Sequence, residues 1–273
     1  MFFHCGDKFM SGYKKTLSIF IDVLGTKDRT DFSKKKLIHD IFHSEVALVE
    51  EREKNTVFNR RLNRKIFSFS DCAYILYQFK DEKNELETMD IDALYQGVKN
   101  MLIPVWKIMN AGFFIRGGAS FGDGYYDDLG CFGPSLESAY LLECSKDGAI
   151  NPTILLENDL GNMLYSYEQN IREEIDLNKY ISPRPFILLN NDKYYANLFY
   201  GIEGMQFGID GKSFVATVRR SAEENKVNAP DAAKKMDWIL ETIQNELSEI
   251  DMTPQITEVE FIRKVIELKK RGQ

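Results

Sequence analysis

Short apolar stretches alternate with longer amphipathic ones along the first part of the chain, and their order restricts the fold more than any other feature. The short stretches are rich in Ile, Phe, Leu and Val and are predicted strands. They are Thr16–Asp22, Lys65–Ser70, Cys72–Phe79, Phe113–Phe121 and Thr153–Glu157. Apolar positions three or four residues apart predict helices over Lys34–Lys54, Ile91–Met109 and Gly133–Cys144. The sequence therefore predicts an α+β fold of order β-α-β-β-α-β-α-β.

The first elements of this order are those of a ferredoxin-like core, an antiparallel sheet with both helices on one face. The patterns after residue 160 are weaker. They predict helices and strands over Leu160–Ile175, Phe186–Leu189, Tyr194–Tyr200, Ala229–Ile250 and Thr257–Lys270. We divide the chain into a flexible N-terminus (1–13), a core (14–160) and an appended, mostly helical C-terminal segment (161–273) of unknown role.

Composition excludes several classes of function. The 273 residues carry a formal net charge of −7, which argues against general nucleic-acid binding. No apolar run approaches the roughly 18 residues of a membrane helix, so we expect no direct membrane contact. The start, Met-Phe-Phe-His-Cys-Gly, does not resemble a signal peptide, and the four Cys form no CxxC motif. We therefore expect free thiols and a cytoplasmic protein.

Two aspartates stand at the ends of predicted strands. Asp22 ends the first strand, and Asp71 lies in the turn between the second and third. Taken alone, Asp22 is as typical of a helix N-cap or turn, and Asp71 of a hairpin turn, as either is of a functional site. In a ferredoxin-like core, however, both positions lie at the same edge of the sheet. Two carboxylates held close together repel unless a cation lies between them, and divalent cations prefer oxygen ligands. The pair therefore predicts a metal site.

Glycines and basic residues lie close to this edge. Gly25 follows the first strand, where backbone N–H groups can bind phosphate at the entry to a helix. Lys27 and Arg29 come next and are either phosphate ligands or solvent-exposed charges. Arg116 precedes two glycines on the fourth strand, and either binds phosphate or pairs with a structural acid. The glycines leave room for a ligand or for another backbone.

Taken together, these runs resemble the catalytic core of the class III nucleotidyl cyclases over roughly residues 14–160. That family has an F-x-D-x-x-G run on the first strand, an aspartate in the β2–β3 turn, a glycine-rich fourth strand and a G-x-x-x-x-x-A-x-x-L-E helix. The corresponding residues here are Phe20–Gly25, Asp71, Arg116–Gly122 and Gly133–Glu143.

The resemblance implies a mechanism. Asp22, Asp71 and the Val23 carbonyl would bind two Mg²⁺ or Mn²⁺ ions. The amides of residues 24–26 (Leu24, Gly25 and Thr26) would hold the β- and γ-phosphates of a nucleoside triphosphate. One ion would activate the ribose 3′-hydroxyl for attack on the α-phosphate, the other would hold the triphosphate, and pyrophosphate would leave. The family also implies a homodimer with active sites between facing cores.

The sequence departs from the family at four positions. The purine-reading Lys corresponds to Phe67, the second base reader to Gly130, and the transition-state Asn and Arg to Glu137 and Leu141. Phe67 and Phe69 would instead narrow the pocket or stack on a small base, unless Phe67 points into the core. For the missing positive charge, the candidates are Lys27, Arg29 and Arg116.

In their residues, the motifs are most similar to those of the bacterial pyrimidine (uridylate and cytidylate) cyclases of Pycsar anti-phage defence. This similarity implies conversion of UTP or CTP to a 3′,5′-cyclic monophosphate, a second messenger that activates a separate effector. Two other functions stay open. One is a catalytically inactive cyclase-like domain that binds nucleotide or dimerises. The other is a different metal-dependent nucleotidyl transferase on the same palm-like core.

Overall fold

The computed structural model describes residues 12–24, 32–53, 61–145, 148–149, 151–174, 184–202, 205–206, 209–228 and 233–247. Its helices are α1 (Phe32–Glu53), α2 (Thr88–Asn100), α3 (Leu102–Asn110), α4 (Pro134–Cys144), α5 (Asn158–Glu174), α6 (Gly211–Asn228) and α7 (Ala233–Leu247). Its strands are β1 (Lys14–Leu24), β2 (Leu62–Phe69), β3 (Cys72–Phe79), β4 (Phe114–Tyr126), β5 (Cys131–Phe132), β6 (Ile154–Leu156), β7 (Ile187–Asn190), β8 (Lys193–Ala196), β9 (Met205–Gln206) and β10 (Ile209–Asp210). The predicted helix over Thr257–Lys270 lies outside the described residues.

One large sheet organises the chain. Its strands lie in the order β2-β3-β1-β4-β6-β8-β7, and β5 pairs with β4. The neighbours from β2 to β4 are all antiparallel, whereas β4 and β6 are parallel. The order β2-β3-β1-β4 is that of a ferredoxin-like core, so the predicted α+β fold is confirmed.

Successive side chains of β1 point to opposite faces of the sheet, and helices cover both faces. Leu17, Ile19 and Ile21 are fully buried in one hydrophobic cluster with α1, α2 and α3. On the other face, α4 packs against β1 and β4, and the Ser18 and Ser135 hydroxyls lie 2.8 Å apart. The central strand that carries Asp22 near its end is therefore held between two layers of helices.

Gly118 explains the double glycine of β4. A Cβ atom at this position would lie 2.3 Å from the carbonyl oxygen of Ala139 and 2.5 Å from the Leu142 Cβ. The glycine is needed because the backbone of α4 approaches the sheet here, and it does not open a space for ligand. Of the two alternatives for these glycines, the structure shows close backbone packing.

Elements after residue 160 continue the same sheet and core. Strands β8 and β7 extend the sheet beyond β6. The Trp106 indole on α3 donates to the Leu198 carbonyl at 2.8 Å and stacks on Phe214 of α6 at 4.5 Å. The predicted boundary at residue 160 stays a prediction about domain organisation.

None of the described helices is both long and apolar enough to cross a membrane.

Several predicted elements differ in detail. The helix predicted over Ile91–Met109 is two helices, α2 and α3, with a break at Met101. Pro104 lies in the first turn of α3, where its missing N–H is tolerated. The last strand predicted over Tyr194–Tyr200 ends at Ala196, and helix α6 was not predicted.

Candidate metal centre

Asp22 is placed by its register in the sheet. Near the end of β1 it pairs with Cys72 of β3 on one side and with Arg116 of β4 on the other. Residues directly opposite each other in antiparallel strands point to the same face. The Asp22, Cys72 and Arg116 side chains therefore meet on the face that α4 covers.

Asp71 is placed by a tight turn. Ser70 and Asp71 form the two-residue connection between β2 and β3, with Phe69 paired to Cys72. Ser70 has φ +57°, a left-handed conformation of the kind that two-residue hairpin turns require. The Val23 N–H donates a 3.0 Å hydrogen bond to the Asp71 carbonyl, which fixes the tip of the hairpin against the end of β1.

These two placements bring three possible ligand atoms together. A carboxylate oxygen of Asp22, one of Asp71 and the Cys72 Sγ all lie within 4.8 Å of one another, and all three residues are half-buried. Among the residues that the structure describes, this is the one such cluster of His, Cys, Asp and Glu. The predicted approach of the two aspartates at one sheet edge is seen in the structure.

Cys72 takes part as a hydrogen-bond donor. Burial raises the pKa of its thiol, and the hydrogen bond to Asp22 and the charges of Asp22, Asp71 and Glu143 raise it further. The protonated Sγ lies 3.2 Å from Asp22 Oδ1 and donates to it. The charged ligands of the cluster are therefore oxygens.

Arg116 lies between two carboxylates. Its Nε donates to Asp22 Oδ2 at 3.3 Å and lies 2.5 Å from Glu143 Oε1, which is buried. The approach to Glu143 is an ion pair by distance without hydrogen-bond geometry, so Glu143 Oε1 has no hydrogen bond. Burial raises the pKa of Glu143, Arg116 opposes this, and Asp22 adds to it. Arg116 is thus paired with two acids through Nε, and phosphate binding by this residue stays a prediction.

The donor set fits a hard divalent cation. Mg²⁺ and Mn²⁺ prefer carboxylate and carbonyl oxygens, and two carboxylates converge here at the ends of rigid strands. A cation between them would relieve their mutual repulsion.

The remaining predicted site residues lie at the end of β1, on β2 or outside the described residues. Val23 is buried and Leu24 is half-buried at the end of β1. Gly25, Thr26, Lys27 and Arg29 lie outside the described residues. The Phe67 ring is half-buried, 6.5 Å from the Tyr126 ring and 5.8 Å from Lys65 Nζ, and does not belong to the hydrophobic cluster.

Two residues at the centre had no role in the sequence analysis. Cys72 directly follows Asp71, and its pairing with Asp22 follows from the β1–β3 register. Glu143 lies one helical turn after Ala139, the residue whose backbone packs on Gly118, and therefore reaches Arg116. The contact between Glu143 and Arg116 depends on where α4 packs on the sheet, and the sequence pattern does not specify that position.

No protein-family model and no curated protein matches the chain. Among solved structures, the catalytic core of a rhodopsin-guanylyl cyclase with converted specificity, in complex with ATPalphaS, is 11% identical. The match covers 68% of this chain and 96% of that one, with a TM-score of 0.41. The guanylate cyclase domain of RhGC from Catenaria anguillulae, in complex with GTP, is 12% identical over 68% of this chain and 97% of that one, with a TM-score of 0.41.

A third similar structure is the monomeric guanylyl cyclase domain of the RhoGC fusion protein from the aquatic fungus Blastocladiella emersonii. It is 10% identical over 67% of this chain and 94% of that one, with a TM-score of 0.41. At these values the function of this chain has to be inferred from its own site.

Proposed function

We propose that this chain is a divalent-cation-dependent nucleotidyl cyclase that converts UTP or CTP to a 3′,5′-cyclic monophosphate and pyrophosphate. The observation that carries the proposal is the convergence of the Asp22 and Asp71 carboxylates within 4.8 Å at the strand ends. The order of the motifs described above implies the activity. The geometry supports it because the two carboxylates lie close together, as metal binding between them requires.

The side chains around the pair have separate roles in this proposal. Asp22, Asp71 and the Val23 carbonyl hold two Mg²⁺ or Mn²⁺ ions. Bound there, the cations would make the ribose 3′-hydroxyl a better nucleophile and neutralise charge on the triphosphate. The Cys72 thiol and Arg116 Nε each donate to one oxygen of Asp22 and so fix the orientation of its carboxylate.

Phosphate binding is assigned to the segment after β1. Leu24, Gly25 and Thr26 offer backbone amides, and Lys27 and Arg29 offer positive charge. Both contacts of Arg116 described above use Nε, and its two Nη groups are the donors that phosphate binding by this residue requires.

Pyrimidine specificity is supported by the position of Phe67. Its ring lies beside Tyr126 outside the hydrophobic cluster, and the neighbouring Phe69 is 56% exposed. Phe67 has no hydrogen-bonding group with which to read a purine, and an aromatic ring favours a small base by stacking and by limiting the space.

We also propose a homodimer. The face that carries Phe67 has further exposed large hydrophobic side chains, which a second copy would cover. They are Phe69, Tyr140 and Leu141. In a cell, we expect the enzyme to be cytoplasmic and its product to act in antiviral defence through a separate effector.

The alternative is an inactive domain that binds nucleotide. Glu137 and Leu141 stand where the related family has its transition-state Asn and Arg, and both are exposed on α4. Incubation with each of the four nucleoside triphosphates and Mn²⁺, with products identified by mass spectrometry, separates the two functions. A cyclic product supports the proposal, and its absence with all four supports the alternative.

A further inference from the structure

Two histidines lie one turn apart on helix α1, away from the acidic centre. His39 and His43 are both exposed, and their ring centroids are 4.4 Å apart. Residues four apart on a helix are neighbours on its surface. Two histidines at this spacing on one helix face form a recurring chelate for zinc and related metals.

The two rings converge on one point of the sheet. The Ser68 hydroxyl of β2 lies 2.6 Å from His43 Nε2 and 3.3 Å from His39 Nδ1. One nitrogen of each imidazole is therefore directed at the same oxygen atom. In a zinc site, each of these nitrogens would lie about 2.0–2.1 Å from the metal.

We propose that His39 and His43, with the Ser68 hydroxyl, form a binding site for a borderline divalent metal of the Zn²⁺, Ni²⁺ and Cu²⁺ group. Imidazole nitrogen suits these ions, whereas Mg²⁺ and Mn²⁺ prefer oxygen. Water would complete the coordination, because the site is open to solvent.

The electrostatic surroundings are compatible with a cation. The nearby Asp40 carboxylate lies 2.6 Å from Lys36 Nζ, which leaves the imidazoles and the hydroxyl as the ligands.

This site is separate from the acidic centre. Ser68 pairs with Ala73, and Phe69 with Cys72, so Ser68 and Cys72 point to opposite faces of the hairpin. A metal at the histidines would join α1 to β2, the strand that leads into Asp71. We therefore expect it to stabilise the folded protein without occupying the centre.

The test is calorimetric titration of Ni²⁺ into tag-free, nucleotide-free protein with excess Mg²⁺ present. Mg²⁺ covers oxygen-ligand sites and competes poorly for imidazole. The variants are His39→Ala, His43→Ala, the double variant, and Asp22→Asn. His4→Ala is the matched control, because the chain has three His and this is the third.

Wild type, His4→Ala and Asp22→Asn should bind Ni²⁺ with equal affinity, and Ni²⁺ should raise their Tm. Each single histidine variant should bind about tenfold more weakly or worse, and the double variant should lose the site. Three results would overturn the proposal: no binding by wild type, unchanged binding by the double variant, or loss of binding in Asp22→Asn. Because no nucleotide is used, the outcome does not depend on the proposed cyclase activity.

Discussion

The backbone N–H of Val23 donates a 3.0 Å hydrogen bond to the carbonyl oxygen of Asp71, and so joins the end of β1 to the tip of the β2–β3 hairpin. Asp22 precedes Val23, so this bond holds Asp22 and Asp71 close together in the chain's fold. The approach of the two carboxylates is therefore supported by the backbone as well as by the side-chain rotamers.

Asp22→Asn and Asp71→Asn should each reduce kcat/KM for cyclisation by about 10³-fold or more, because metal assistance contributes several kcal/mol to the barrier. The amide keeps the shape of the side chain, so circular dichroism and Tm should change little. The matched control is Asp81→Asn, an exposed acid just beyond the other end of β3. Wild-type activity in either centre variant would remove the metal mechanism.

Gly118→Ala and Gly122→Ala test the docking of α4. A methyl group at Gly118 meets the Ala139 carbonyl, whereas at Gly122 the nearest atom is the Ser135 Cβ at an ordinary 3.7 Å. We expect Gly118→Ala to cost about 2–3 kcal/mol of unfolding free energy, and Gly122→Ala to change it by less than about 0.5 kcal/mol. Urea denaturation measures both, and equal stabilities would contradict the packing described for α4.

The buried Asp90 should make stability depend on acid pH. Burial alone would raise the pKa of Asp90, but the Glu87 N–H and the ion pairs with Lys83 and Arg61 outweigh it and lower the pKa. A carboxylate whose pKa falls on folding stabilises the protein above its unfolded pKa of about 3.9. That contribution is lost as the pH falls through the folded value.

Asp90→Asn should therefore cost about 3 kcal/mol at pH 7, since it leaves two cations without their buried partner. The difference from wild type should shrink below about pH 4. Asp128→Asn is the control, because Asp128 pairs with Lys65 at 2.9 Å but is 96% exposed, and its Tm should not change. A difference between wild type and Asp90→Asn that stays constant from pH 7 to pH 3 would contradict this account.

Phe67→Ala should weaken base selection. If the Phe67 ring excludes purines, its removal should lower the ratio of kcat/KM for pyrimidine over purine triphosphates by about tenfold. Leu189→Ala, an exposed hydrophobic residue on β7 at the opposite edge of the sheet, is the control and should leave the ratio as in wild type. An unchanged ratio in Phe67→Ala would assign base selection to other residues.

The sequence was sufficient for the core and the acidic pair, for physical reasons. A strand that is buried on both faces, such as β1, gives a mostly apolar run, and an acidic residue near its end stands out. Asp22 and Asp71 were therefore expected to be neighbours once the strand order was set. The contacts of Arg116 were not, because they depend on where α4 packs on the sheet. Glu143 reaches Arg116 only because Gly118 and Ala139 allow that helix to come close.

Sequence patterns predicted most of the described elements after residue 160, but they did not predict helix α6 or how these elements pack. Trp106 and Phe214 stack in the core although they are far apart in the chain. The break at Met101 likewise interrupts a periodic apolar pattern that continues through it. Packing between residues that are far apart in the chain determines both features, and a local sequence pattern does not specify such packing.

The most direct test of the central claim is the product formed from each of the four nucleoside triphosphates with purified protein and Mn²⁺, identified by mass spectrometry and followed by steady-state kinetics. We predict 3′,5′-cyclic UMP or CMP with pyrophosphate, and a kcat/KM for UTP or CTP above those for ATP and GTP. A kcat/KM for ATP or GTP that equals or exceeds both pyrimidine values would contradict the substrate assignment, and no cyclic product from any of the four would contradict the proposed activity.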